Sequence, residues 1–220
     1  MITLSVRELA KIAIEGMGAM QKQKELEGLL WKLEEVVALG RSRHTMSLRN
    51  NPTESEPVRF LEIGVGNGGT TWALSKLVGV STFVSIDLPA GPFSQGAIPK
   101  ECLEYIRGNA CCEYFYIPGD SKSEEIRDRA AALVDGDVDF LFIDGDHTYQ
   151  GVKSDFEMYS PLVRQGGLIA LHDIVEHAPE SGCEVKKFWD ELKEKLPSTS
   201  VEEIIDPEGG AWAGVGIVHV

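Results

Sequence analysis

An apolar run, Phe140 to Ile143, ends abruptly in Asp144, Gly145, Asp146 and His147, so a buried segment delivers two carboxylates and an imidazole to one place. The stretch "GGLIALHD" ends the same way, in His172 and Asp173. In an open parallel sheet, ligands bind beyond the carboxyl ends of the strands, so two adjacent strands ending in these residues would bring Asp144, His172 and Asp173 together. Carboxylate oxygens converging with an imidazole suit a divalent cation, Mg²⁺ or Mn²⁺, and the imidazole tilts the choice towards Mn²⁺ or heavier metals. His147 stands three residues after Asp144, and an imidazole changes charge near neutral pH. Asp and Gly also favour turns for purely local reasons, so the carboxylates alone do not separate a reaction site from an acidic turn.

A second constellation lies upstream. "FLEIGVGNGGTTWALSK" carries Gly64, Gly66 and Gly69 in G-x-G-x-x-G spacing, after an apolar run and before a helical pattern. Glycines there let the chain turn sharply and let a ligand approach the backbone beside a helix N-terminus. Asp87 closes the next apolar run, where a carboxylate takes two ribose hydroxyls. Glu62 sits inside the first run, where an unpaired carboxylate is costly. It would oppose a pyrophosphate and welcome a sulfonium or an ammonium group.

The elements that must position these residues are legible as an alternation. From residue 58, apolar runs ("VRFLEIG", "TFVSID", "EYFYIPGD", "VDFLFIDG", "GGLIALHD") alternate with amphipathic stretches, which predicts an α/β, Rossmann-like, doubly wound and mostly parallel sheet. "SVEEIID" and "AWAGVGIVHV" follow each other with only "PEGG" between, so the seven-stranded sheet should end in a C-terminal antiparallel β-hairpin. Before residue 58 the pattern is helical. Leu4, Leu9, Ile12, Ile14, Met17 and Met20 form one stripe, and Leu26, Leu29, Leu30, Leu33, Val36 and Val37 another, with Gly16 and Gly18 between them and Gly40 as a stop. "RSRHTMSLRNNPTESEPV" reads as a polar loop that could cover a site. The expected division is a helical extension or lid over 1–57 and a catalytic domain over 58–220.

Composition narrows the function classes. The 220 residues carry a formal net charge of −14, with 43% hydrophobic and 25% charged residues. Such an acidic chain is a poor partner for nucleic acid or anionic membrane. The cysteines, Cys102, Cys111, Cys112 and Cys183, form no C-x-x-C pair and are expected as reduced thiols. No apolar segment approaches the ~20 residues that span a bilayer. The N-terminal stretch is amphipathic rather than a signal peptide, so a cytoplasmic location is expected. The apolar N-terminal helices could support a homodimer.

Taken together and in order, "LEIGVGNGG", "SIDL", "PGDS", "FLFIDGDHTYQGV", "LVRQGGLIALHD" and the terminal hairpin resemble the class I S-adenosylmethionine-dependent methyltransferases, from about residue 58 to the end. The block from Asp144 to Asp173 is most similar to the small-molecule O-methyltransferases of the macrocin and cephalosporin-biosynthesis type. The resemblance implies S-adenosylmethionine as cofactor and a hydroxylated small molecule, a sugar or natural product, as acceptor. It implies Glu62 near the methionine part of the cofactor, Gly64 and Gly66 beneath it, Asp87 on the ribose hydroxyls, and Gly119, Asp120 and Ser121 flanking the adenine. Asp144 would border the cofactor and act in catalysis. Relatives place metal ligands at Asp144, His172 and Asp173, with a carboxylate where this chain has His172, and use the histidine of D-x-x-H, here His147, as general base. Asp120 also reads as the N-cap of the next helix, with Ser121 as competitor. His177 and Glu176 are candidates for the acceptor pocket. An NAD-binding oxidoreductase and a non-catalytic binding module of the same fold stay open, with Glu62 and the hairpin against the first and Asp144, His147 and Asp173 against the second.

Overall fold

A computed structural model describes residues 4–47, 57–90, 98–206 and 213–220. Two helices come first, α1 (Val6–Met17) and α2 (Gln23–Ser47). The alternating part follows: β1 (Val58–Ile63), α3 (Gly69–Ser75), β2 (Val80–Asp87), α4 (Lys100–Asn109), β3 (Glu113–Pro118), α5 (Glu124–Leu133), β4 (Val138–Ile143), α6 (Tyr149–Tyr159), β5 (Val163–His172), α7 (Val185–Lys195), β6 (Val201–Ile204) and β7 (Val215–His219). The strands form one sheet in the order β3-β2-β1-β4-β5-β7-β6. All pairs are parallel except those of β7, which runs antiparallel between β5 and β6. The expected hairpin therefore places its second strand, not its first, against the parallel sheet; its "PEGG" turn lies outside the described residues.

Period-two alternation splits the core into two layers. Phe60, Phe140 and Phe142 point to the face covered by α1, α2, α3 and α4, where Phe60 and Phe140 meet edge to face at 5.3 Å. Leu61, Ile63, Leu141 and Ile143 point to the face covered by α5, α6 and α7. Burying a side chain of this size removes about 2 kcal/mol of apolar exposure, so each layer carries much of the drive to fold. Trp189 of α7 fills the second layer against Gly216 of β7, where a Cβ would stand 2.8 Å from its ring, and its indole N–H donates to Glu203 at 2.6 Å.

The N-terminal helices join the first layer. Ser5 and Glu8 form a reciprocal capping box at the start of α1, and Gly18 ends it in the left-handed conformation (φ 73°). The buried face of α1 is Val6, Leu9, Ala10 and Ala13, whereas Ile12, expected in the stripe, is exposed. In α2 all six expected apolar positions are buried. Gly40 does not end α2, which runs on to Ser47 through residues expected as loop. One glycine costs a helix only about 1 kcal/mol, less than the packed first half of α2 supplies. The rest of that polar segment, 48–56, lies outside the described residues. Among the described residues no helix is long and apolar enough to cross a membrane.

Candidate active site

The order of strands reverses between β1 and β4, and a crevice opens beyond their carboxyl ends. A cavity of about 470 Å³ occupies it. The chain after β1 and the chain after β4 meet here at the closest possible range. Gly64 has φ 91°, and a Cβ on it would stand 2.0 Å from the carbonyl oxygen of Asp144. Gly69 is pressed against the α1–α2 connection, where a Cβ would stand 2.2 Å from the Ala19 amide nitrogen. Gly66, at φ 52°, faces open space. All three spaced glycines border the cavity, but Gly64 and Gly69 are also required by the protein's own packing, whereas at Gly66 nothing of the protein crowds the missing Cβ.

On the β2–β3 side, Asp87, Gly119, Asp120 and Ser121 all border the cavity. Burial pushes the Asp87 carboxyl up to about 6, opposed by hydrogen bonds from the backbone amides of Val65, Leu88 and Gly66. Neither Asp120 nor Ser121 caps α5: the N-cap position belongs to Ser123, and Asp120 closes its own turn by accepting from the Lys122 amide at 3.0 Å. A short polar side chain bonded to the backbone two residues on gives up the reach a cap needs.

On the β4–β5 side, Asp144, His147, His172 and Asp173 converge. His147 spans two carboxylates, with Nε2 3.2 Å from Asp144 Oδ1 and Nδ1 3.0 Å from Asp173 Oδ2. His172 Nδ1 lies 3.1 Å from Asp144 Oδ1 and 3.4 Å from Asp173 Oδ1. Burial alone would raise the Asp144 carboxyl, but the His172 charge and the His147 hydrogen bond hold it well below the usual range. Asp173 follows the same balance, burial against His147. Burial opposes the charged imidazoles, yet Asp144 and Asp173 drive His147 far above its usual value, and Asp144 raises His172. Asp173 adopts φ 64°, a left-handed conformation rare outside glycine, and its Oδ1 is buried without a hydrogen bond. A buried carboxylate oxygen without a hydrogen bond, approached by the His172 and His177 nitrogens at 3.4 Å, fits a site that can receive a cation.

Asp146, unassigned in the sequence, turns away from this group. It accepts from the Thr148 amide at 3.0 Å and pairs with Lys122 at 2.8 Å, closing the rim between the β3 and β4 loops. His177 borders the cavity with Nε2 3.4 Å from Asp173 Oδ1, but Glu176 does not line it. Glu62 is also not a wall of the cavity. Its side chain lies on the face of β1 covered by α1 to α4, accepting from Thr71 at 2.8 Å and Ser85 at 2.6 Å, and burial pushes its carboxyl up to about 8. A period-two strand points residue 62 to the face opposite Ile63, into the layer of Phe60, so Glu62 reaches Thr71 and Ser85 rather than lining the cavity.

Two residues of the site carried no signal in the sequence. Gln21, in the α1–α2 connection, donates to Asp144 Oδ2 at 2.7 Å and accepts from Thr70, joining the N-terminal helices to both loops. Cys183 borders the cavity beside His147. Each lies on a connection whose position only the folded chain defines.

Comparison with known proteins agrees with this architecture. A protein from Acanthamoeba polyphaga mimivirus, "Uncharacterized protein R132", is 28% identical over 135 residues, which cover 61% of this chain and 59% of that protein. The MycE methyltransferase of the mycinamycin biosynthetic pathway, solved with Mg, S-adenosylhomocysteine (SAH) and mycinamycin VI, superposes with a TM-score of 0.56 at 17% identity, over 99% of this chain and 54% of that one. CalS11, a TDP-rhamnose 3'-O-methyltransferase of calicheamicin biosynthesis, gives 0.50 at 15% identity, over 98% and 92%. The chain thus spans little more than half the length of the mimivirus protein and of MycE, and at these identities the solved structures speak for the fold. The family described as "Methyltransferase domain" matches residues 61–174. That match takes in both loops of the cavity and more than half of the sequence: the chain belongs to the methyltransferase-domain family and has the class I S-adenosylmethionine-dependent methyltransferase fold.

Proposed function

We propose that the protein transfers a methyl group from S-adenosylmethionine to a hydroxyl of a small molecule, a sugar or a natural product, with a divalent cation at Asp144, His172 and Asp173 and with His147 as the proton acceptor. The observation that carries this reading is the continuity of one cavity. Its β1–β2–β3 side offers the bare backbone of Gly66 and the Asp87 carboxyl, and its β4–β5 side offers the carboxylate–imidazole cluster. The 470 Å³ lies within the ordinary range for a small-molecule or cofactor site.

S-adenosylmethionine brings a methyl group that is already activated, so alignment is the main task left to the protein. Gly64, Gly66, Asp87, Gly119, Asp120 and Ser121 would hold it. A cation on the cluster would take over the positive charge that His147 now supplies to two carboxylates, and would lower the pKa of a hydroxyl bound to it. His147 then has one ring nitrogen available for the hydroxyl proton, while Asp173 orients the ring through the other at 3.0 Å. Gln21 holds the second oxygen of Asp144 so that the first stays directed at the histidines.

Calorimetric titration with SAH, set against NADH, tests the cofactor. SAH should bind and NADH should not. Asp87→Ala should weaken SAH binding by about 10- to 100-fold, the loss expected for hydrogen bonds to a charged group. Tight NADH binding without a response to SAH would end the proposal. Turnover on hydroxylated sugars, phenols and macrolides should fall on treatment with EDTA and return with Mg²⁺ or Mn²⁺.

A further inference from the structure

Asp144, His172 and Asp173 are not the only ligand set in the cavity. One donor atom each from His147, Asp173 and Cys183 also lies within 4.8 Å of the others, and Asp173 belongs to both groups. The thiol is held there by the backbone. Gly182 turns the chain at φ 70°, the Cys183 amide donates to Ser181 Oγ at 3.1 Å, and the Glu184 amide donates to the His147 carbonyl at 2.8 Å. The loop after β5 is therefore clamped to the start of α6, with its thiol beside the His147 ring.

The two sets differ in chemistry. Two carboxylates and one imidazole suit a hard or borderline ion; a sulfur, an imidazole and one carboxylate suit a thiophilic one. Three such ligands with a fourth position open is an arrangement zinc adopts, at about 2.0–2.3 Å from each donor, a contraction that loop side chains can make. His147 is the only imidazole of the second set, and Asp173 is the only carboxylate.

We infer that His147, Asp173 and Cys183 form a zinc-binding site, and that zinc there inhibits methyl transfer by occupying the imidazole that would accept the hydroxyl proton. Binding deprotonates the Cys183 thiol, whose proton goes to solvent, and forms Zn–S, Zn–N and Zn–O bonds without any redox change. Zinc also removes Asp173 from the oxygen-rich set, so the two ions exclude each other. The inhibition half rests on the proposed role of His147; the binding half does not.

Cobalt(II) separates the two halves. The full chain, titrated with CoCl₂, should show a sulfur-to-cobalt charge-transfer band in the near ultraviolet that ZnCl₂ removes. Cys183→Ser should lose the band while keeping the native circular dichroism spectrum, and Asp144→Asn should keep it. Absence of the band, or its persistence in Cys183→Ser, overturns the site. In turnover, zinc should inhibit the native chain, and Cys183→Ser should need at least about tenfold more zinc for the same inhibition, a loss in line with one ligand. A cobalt band without inhibition by zinc overturns the role assigned to His147 and leaves the binding site standing.

Discussion

Two aspartates open and close the environment of one strand. Asp139 stands near the start of β4 and Asp144 just past its end, and both are shielded from solvent. Asp139 accepts from the Arg59 amide at 2.9 Å and from Arg164 Nε at 2.6 Å. Its partner is a guanidinium, which stays charged at any pH the protein meets. Asp144 is matched by His147, His172 and the neutral amide of Gln21. Its counter-charges are imidazoles, which can give up their protons or exchange places with a metal ion. The same residue type on the same strand is locked at the amino end and negotiable at the carboxyl end. A permanent cation serves stability; a titratable one leaves the carboxylate free to change partners during a reaction.

Exchanging each aspartate for asparagine should pull these roles apart. Asp144→Asn should lower turnover by about a thousandfold, the scale of losing one preorganised charge beside a reacting oxygen. Its unfolding midpoint in urea should fall less than that of Asp139→Asn, since His147 and His172 can shed their protons when the charge is removed, which a guanidinium cannot. Asp139→Asn should do the reverse: it strands Arg164, whose side chain is only 13% exposed, and should destabilise by about 3 kcal/mol. Turnover per folded molecule should hold. If Asp139→Asn lowers activity as much as Asp144→Asn, the distinction between the two ends fails.

His147→Ala sharpens the carboxyl-end half. It should slow methyl transfer by about a hundredfold, the lower range for a lost proton acceptor, and leave SAH affinity unchanged. Parallel losses in rate and SAH affinity would instead make His147 part of the cofactor wall.

How far the sequence reached follows the same division. Strand ends are local events, so Asp87, Asp144, His172 and Asp173 could be placed from apolar runs that stop in polar residues, and the cavity does collect them. The helix stripe of α2 was legible because six apolar positions repeat at helical spacing. Side-chain direction within a strand was harder. Glu62 is two residues from Gly64 in sequence, yet its side chain turns into the layer of Phe60, towards Thr71 and Ser85, and does not border the cavity. The extent of α2 is not legible because polarity beyond Gly40 reads as loop, while a helix with a packed first half tolerates a polar continuation. Gln21 and Cys183 were invisible for a further reason: their partners lie 123 and 36 positions away in the chain, and no periodicity connects them.

Among the described residues Glu62 is a carboxyl with no cation paired to it. It is fully buried, its Oε1 has no hydrogen-bond partner among the described residues, and its Oε2 accepts from the hydroxyls of Thr71 and Ser85. Burial pushes it from 4.5 up to about 8, helped by the charges of Asp144 and Asp87 and resisted by the two hydroxyls. In the unfolded chain the group ionises near 4.5, whereas the folded protein keeps the proton until about 8. The unfolded state therefore loses its proton first, and stability that is complete below the unfolded value drains away as pH rises towards the folded one. Between about pH 5 and about pH 7 this should remove about 2 kcal/mol from the native chain. Glu62→Gln, which keeps the shape and never ionises, should lose less over the same interval. Urea unfolding of both proteins at the two pH values measures the difference. Equal slopes would mean that Glu62 is already charged when folded, and that the β1 end, like the β4 end, has a counter-charge within reach.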